Sequence, residues 1–134
     1  MRVAPLVPSI EAAGRNPSSA DRGMWNREQA HDVRHALFGG ERAVRVWSLV
    51  ASPQAPFAAV LACELDPGGS VGAHVQEECA ELVIAIDGDG HVLVNGERSS
   101  LAPGAVIELP LGETLAIGND SGERPLRYLI IKAR

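Results

Sequence analysis

A chain of 134 residues has room for one enclosed core and not for two domains. Its 46% apolar and 22% charged residues are the balance of an ordinary globular domain, and a net charge of −5 offers no basic surface for phosphates, so nucleic acid is not an expected partner. No apolar stretch has the length of a membrane-spanning helix, and no membrane partner is expected either.

Residues 1–8 are interrupted by Pro5 and Pro8 too early for the apolar centre of a secretory leader, and Cys63 and Cys79 are too few for a disulfide framework. Both features predict a cytoplasmic protein with free thiols. Residues 1–36 read as an irregular N-terminal arm, marked by Pro5, Pro8, Pro17 and the polar run 16–19. Within it the stretch 26–38 carries two signals. Asn26 and Gln29 resemble a capping box, with Ala30, Val33 and Leu37 on one helical face. Val33, His35 and Leu37 also alternate as in a strand. A short helix or turn running into a hairpin is the expectation.

From residue 43 onward the pattern is that of β-structure. Short runs near 43–50, 57–65, 71–76, 81–87, 90–95, 98–101, 105–109, 113–118 and 126–132 are separated by turn residues. Asn95-Gly96 is the sharpest turn, because Asn and Gly both accept the positive φ of a two-residue type I′ hairpin. The final run is apolar enough to close a barrel. So many short strands in one chain imply an all-β sandwich or barrel over residues 37–134. Aromatic residues are only 4%, so its core must come from Val, Leu, Ile and Ala.

The residues with chemistry cluster in one place. Side chains two apart on a strand share a face, so His74 and Gln76 are expected to point together. The short link over 77–80 lets the next strand bring Glu81 to that same face. Gly68, five residues, His74-x-Gln76, four residues, Glu81, six residues and Gly88 form one pattern. Gly104, five residues, Pro110-Leu111-Gly112, two residues, Leu115, three residues and Asn119 form a second, fifteen residues later.

These two patterns, in this order and spacing, resemble the paired motifs of the cupin superfamily, over about residues 57–133. The resemblance implies a cupin jelly-roll β-barrel (a double-stranded β-helix), often paired into homodimers. It also implies a site for a divalent iron, manganese, nickel, copper or zinc ion held by three histidines and a glutamate. Carried over residue by residue, His74 and Glu81 match, while Gln76 and Leu115 stand where histidines are usual. A Gln carbonyl is a poorer transition-metal ligand than imidazole, and Leu has no lone pair. The metal motif is therefore degenerate, with His74, Gln76 and Glu81 as the remaining candidate ligands.

Two functional expectations follow. In the first, the barrel holds a small organic ligand in a pocket lined by His74, Gln76, Glu81 and Leu115. In the second, the chain is a metal-dependent isomerase, lyase or dioxygenase acting on a small polar substrate; a metal-free variant would use His74 and Glu81 as an acid–base pair. His31, His35 and His91 read as surface histidines and Cys79 as a plain small thiol. Trp25 and Trp47 read as core or interface residues, and Arg45, Arg98 and Arg127 as outward-facing strand residues.

Overall fold

The computed structural model describes residues 24–134, so residues 1–23 of the expected arm lie outside the described residues. Ten strands follow one another: β1 (Asp32–His35), β2 (Ala43–Ser48), β3 (Phe57–Leu65), β4 (Ser70–Val75), β5 (Ala80–Asp87), β6 (Gly90–Val94), β7 (Glu97–Leu101), β8 (Val106–Leu109), β9 (Thr114–Asn119) and β10 (Leu126–Ala133). Nine of them are the runs read from the sequence, with ends within two residues. Asn95 (φ 51°) and Gly96 (φ 83°) make the tight turn between β6 and β7, as their chemistry requires.

The stretch 26–38 departs from the favoured reading. Its alternation prevails: β1 pairs antiparallel with β2, and the only helical piece is a 3₁₀ turn over Leu37–Gly39. Asn26 does engage the following backbone, its Oδ1 accepting from the Glu28 N–H at 2.9 Å, but the chain turns there instead of winding into a helix. The sheet thus begins at Asp32, inside the stretch assigned to the arm.

Six strands form one antiparallel sheet in the order β1-β2-β3-β10-β5-β8, and four form a second in the order β4-β9-β6-β7. The two sheets face each other as a jelly-roll barrel. β10 lies between β3 and β5, so the apolar C-terminal run is a central strand rather than an exposed edge. Alternation sends Leu126, Tyr128, Ile130 and Lys132 of β10 to the interior, opposite Val71, Leu115 and Ile117 of the smaller sheet.

One end of the barrel is filled solidly by Leu65, Ala85, Val92, Leu101 and Leu126. Gly88 (φ 104°) turns the chain there beneath Leu126, and a Cβ at that position would press on the Pro125 carbonyl. Asn119 secures the same end, its Nδ2 donating to the carbonyls of Leu65, Asp66 and Arg124 at 3.2, 3.0 and 2.8 Å. The opposite end, where β4 and β10 finish and β5 starts, is hollow.

Candidate functional site

The hollow end holds a cavity of about 230 Å³. Most of its wall is aliphatic, from Val44, Val46, Leu61, Val71, Ile117 and Ile130. Its polar lining consists of Arg34, Cys63, His74, Glu81, Tyr128 and Lys132. A second, more open cleft of about 420 Å³ is lined by Gln76, Glu77, Glu78, Cys79 and Arg134 among others. Phe38, His74 and Lys132 line both spaces and so stand at their junction.

Three of the four motif positions meet in the inner cavity: His74, Glu81 and Leu115. His74 and Leu115 are direct cross-strand partners on β4 and β9. A bulge at Gly72 and Ala73 gives β4 one extra residue between Val71 and His74, which lets both face inward despite their odd spacing. Gln76 corrects the expectation that all four would share one space. β4 ends at Val75, so the alternation that would carry residue 76 beside 74 stops one residue short. Instead the Gln76 backbone bonds to Glu113 and Gly112, and its side chain lines the outer cleft. The residue is only 5% exposed, and its amide Nε2 has no hydrogen-bond partner.

Glu81 is buried, and its ionic partner is Lys132, with Nζ 3.6 Å from Oε2. The two residues are register partners across β5 and β10. Burial raises the Glu81 carboxyl above the ordinary carboxylate range, while the charges of Lys132 and His74 pull it partly back. His74 does not hydrogen-bond Glu81; its Nδ1 lies 2.9 Å from the Gly72 carbonyl oxygen. A carbonyl only accepts, so Nδ1 carries the proton and a neutral ring keeps its lone pair on Nε2. Deeper in, burial pushes the Cys63 thiol up to about 12 and raises the Tyr128 hydroxyl well above its usual value, so both stay protonated.

Phe38 was not singled out in the sequence, yet it covers His74 with ring centroids 4.1 Å apart and planes 14° from parallel. It rides on a loop over residues 36–42 that is tied to β4. Glu41 and Ser70 exchange two hydrogen bonds, and Ala36 N–H donates to the Arg42 carbonyl. Gly72 packs so closely under the loop that a Cβ there would overlap the Phe38 carbonyl oxygen. Ala36, Phe38 and Arg42 all hold positive φ, a conformation that non-glycine residues keep only where surrounding contacts impose it. The signal available in the sequence was the Gly39-Gly40 pair next to an aromatic residue. For Lys132 it was parity: the chain's one lysine shares the inward face of Tyr128 and Ile130.

The remaining candidates lie elsewhere. Trp47 is buried on the outer face of the larger sheet under His31, and its Nε1 donates to the Asn26 carbonyl. Trp25 donates to the Cys63 carbonyl from that same outer side. Arg127 pairs with the buried Glu64 at 2.9 Å, Arg98 and His91 with Asp120, and Arg45 reaches the His31 ring. None of these lines the cavity.

The donor set does not suit a transition metal. Leu115 offers no lone pair, Gln76 faces another space, and the Lys132 ammonium already stands beside the one carboxylate. Among the described residues no three His, Cys, Asp or Glu side chains gather to hold an ion. A catalytic zinc centre, by comparison, keeps three protein ligands.

A family model described as "Cupin domain" matches residues 61–132. No curated protein matches the chain in sequence. Among solved structures, a predicted oxalate decarboxylase from Thermotoga maritima is 26% identical with a TM-score of 0.72, covering 79% of this chain and 93% of its own. A Cupin 2 conserved barrel domain protein from Salinispora arenicola is also 26% identical, with a TM-score of 0.60 and coverage of 68% and 76%. KdgF from Halomonas sp. shares the fold at 17% identity and a TM-score of 0.61, covering 83% of this chain and 92% of its own.

Proposed function

The chain belongs to the cupin family, and from the chemistry of its cavity we propose that it binds a small, largely apolar organic molecule inside the barrel, with no resident transition metal. The observation that carries this reading is the Lys132–Glu81 pair, 3.6 Å apart in an otherwise mostly aliphatic space. An ammonium and a divalent ion would compete for the same carboxylate, and the ammonium is covalently present. Leu115, directly across from His74, keeps that side of the space dry. A cavity of about 150 Å³ suffices for benzene. The 230 Å³ here fits a molecule of one ring with a short substituent.

The test uses protein purified without a His tag. We expect far less than one equivalent of iron, manganese, nickel, copper or zinc. A neutral ring-sized probe such as benzyl alcohol should shift the methyl resonances of Leu115 and Ile117 and raise the melting temperature. At a probe concentration of about 100 times Kd the stabilisation is about 2.7 kcal/mol. Stoichiometric metal that disappears in His74→Ala would overturn the metal-free part of the reading, and failure of every neutral probe would overturn the cavity part.

A further inference from the structure

We propose that the natural ligand is an organic monocarboxylate: its apolar body fills the inner cavity, and its carboxylate docks on Lys132 and Gln76, beside His74, at the junction with the cleft. The proposal rests on the ligand-binding reading above and names the chemical class that the site selects.

Gln76 supplies the first observation. A side chain 95% withdrawn from solvent ordinarily has its polar atoms paired, because a buried donor without an acceptor loses its hydration for nothing. The Nε2 of Gln76 is itself buried and has no partner in the protein, and the residue lines a space that also presents His74 and Lys132. A ligand oxygen is the missing acceptor.

The second observation is charge. The charged groups of the inner cavity are Arg34, Lys132 and Glu81, so cations outnumber carboxylates two to one. Arg34 leans outward on Asp32 at 3.4 Å in an exposed pair. Lys132 has three N–H donors, of which Glu81 occupies one direction, and its side chain is 38% exposed. In the cleft Arg134 is answered by Glu78 at 3.9 Å, and Glu77 faces the same space. That acidic rim, together with Glu81 inside, disfavours a ligand with two negative charges. A cationic ligand would instead meet Lys132 and Arg34.

The third observation is the shape of the polarity. Only the junction is polar on both sides, through His74 and Lys132, with Phe38 as its apolar edge. Deeper in, the polar groups are the Cys63 thiol and the Tyr128 hydroxyl, and the walls are Leu, Val and Ile. A sugar or polyol would bury hydroxyls there without partners. One charged group at one end of an apolar body is the pattern that fits.

Calorimetric titration of two acids, phenylacetate and hexanoate, against their neutral amides tests this in the full-length protein. The acids should bind at least about tenfold tighter than the amides, the scale of one charge-assisted contact pair. Lys132→Met should remove most of that preference, with folding checked by circular dichroism. Lys132→Arg, which keeps the cation, should retain the preference. Equal affinity for acid and amide in the parent, or a preference that survives Lys132→Met, would overturn the carboxylate assignment and leave the cavity reading intact. If neither acids nor amides bind, both fall together.

Discussion

At the scale of single residues, the interior of this barrel is set by what burial does to groups that would ionise in water. Cys63 illustrates it, with a thiol that needs a pH near 12 to ionise in the fold against 9.0 for an ordinary thiol. Between those values the unfolded chain has released a proton that the folded chain still holds. Stability therefore falls as pH rises through that window, by up to about 1.4 kcal/mol per pH unit for one such group. Cys63→Ser keeps a side chain of the same shape and removes the titration. Urea unfolding at pH 8, 9, 10 and 11 should show a shallower loss of stability in the variant than in the parent. Parallel pH profiles would contradict the burial of this thiol. For the same reason Cys63 should resist thiol reagents at pH 8 in the native protein, since the thiolate is the reacting species.

At the scale of elements, much of the architecture was written in local chemistry, and the rest depended on pairing between distant segments. The β6–β7 hairpin follows from Asn95-Gly96 alone, and the inward face of β5 from its alternation of Glu81, Val83 and Ala85. The stretch 26–38 satisfied both a helical and a strand period; it settled as β1 because β2 offers its backbone a partner, which no local signal reports. Lys132 meets Glu81 only through the β5–β10 register, and Phe38 meets His74 only because the loop over 36–42 docks on β4. Gln76 was misplaced by carrying strand alternation one residue past the strand's end. Gly72 makes the docking of that loop testable. Gly72→Ala would force a methyl against the Phe38 carbonyl, and overpacking of this kind typically costs about 1–3 kcal/mol. The loss should register in urea unfolding, together with altered ring-current shifts at His74. A second test concerns the pairing of β4 with β9. Leu115→His would set an imidazole directly opposite His74, and Lys132→Met would clear the competing cation from Glu81. Two nitrogens and a carboxylate meet the three-ligand requirement of an open zinc site, so the double variant should retain zinc after dialysis where the parent does not. Equal zinc content in the two proteins would refute this account of the site.

At the scale of the whole molecule, the larger sheet has an outer face that the described residues cover only in part. Residues 25–31 pack over its β2–β3 side, where Trp25 donates to the Cys63 carbonyl, the Asn26 carbonyl accepts from Trp47 and Arg27 reaches Glu64. Beyond them, Leu129, Ile84 and Val106 line up in register across β10, β5 and β8, and Val60, Ile131 and Leu82 form the neighbouring row across β3, β10 and β5. Val106 and Ile86 are 58% and 40% exposed at the open side. A continuous apolar sheet face of this kind usually marks an interaction surface. We propose that a second copy of this chain covers it, the arrangement implied by the resemblance to cupins, because a two-fold axis lets the same two rows bury each other. Sedimentation equilibrium should then give twice the 14.1 kDa mass of one chain. Val106→Arg places a charge on an already exposed position, so it should split the pair without unfolding the barrel. A monomeric parent at micromolar concentrations, or a Val106→Arg variant that pairs as well as the parent, would remove the second copy from this face.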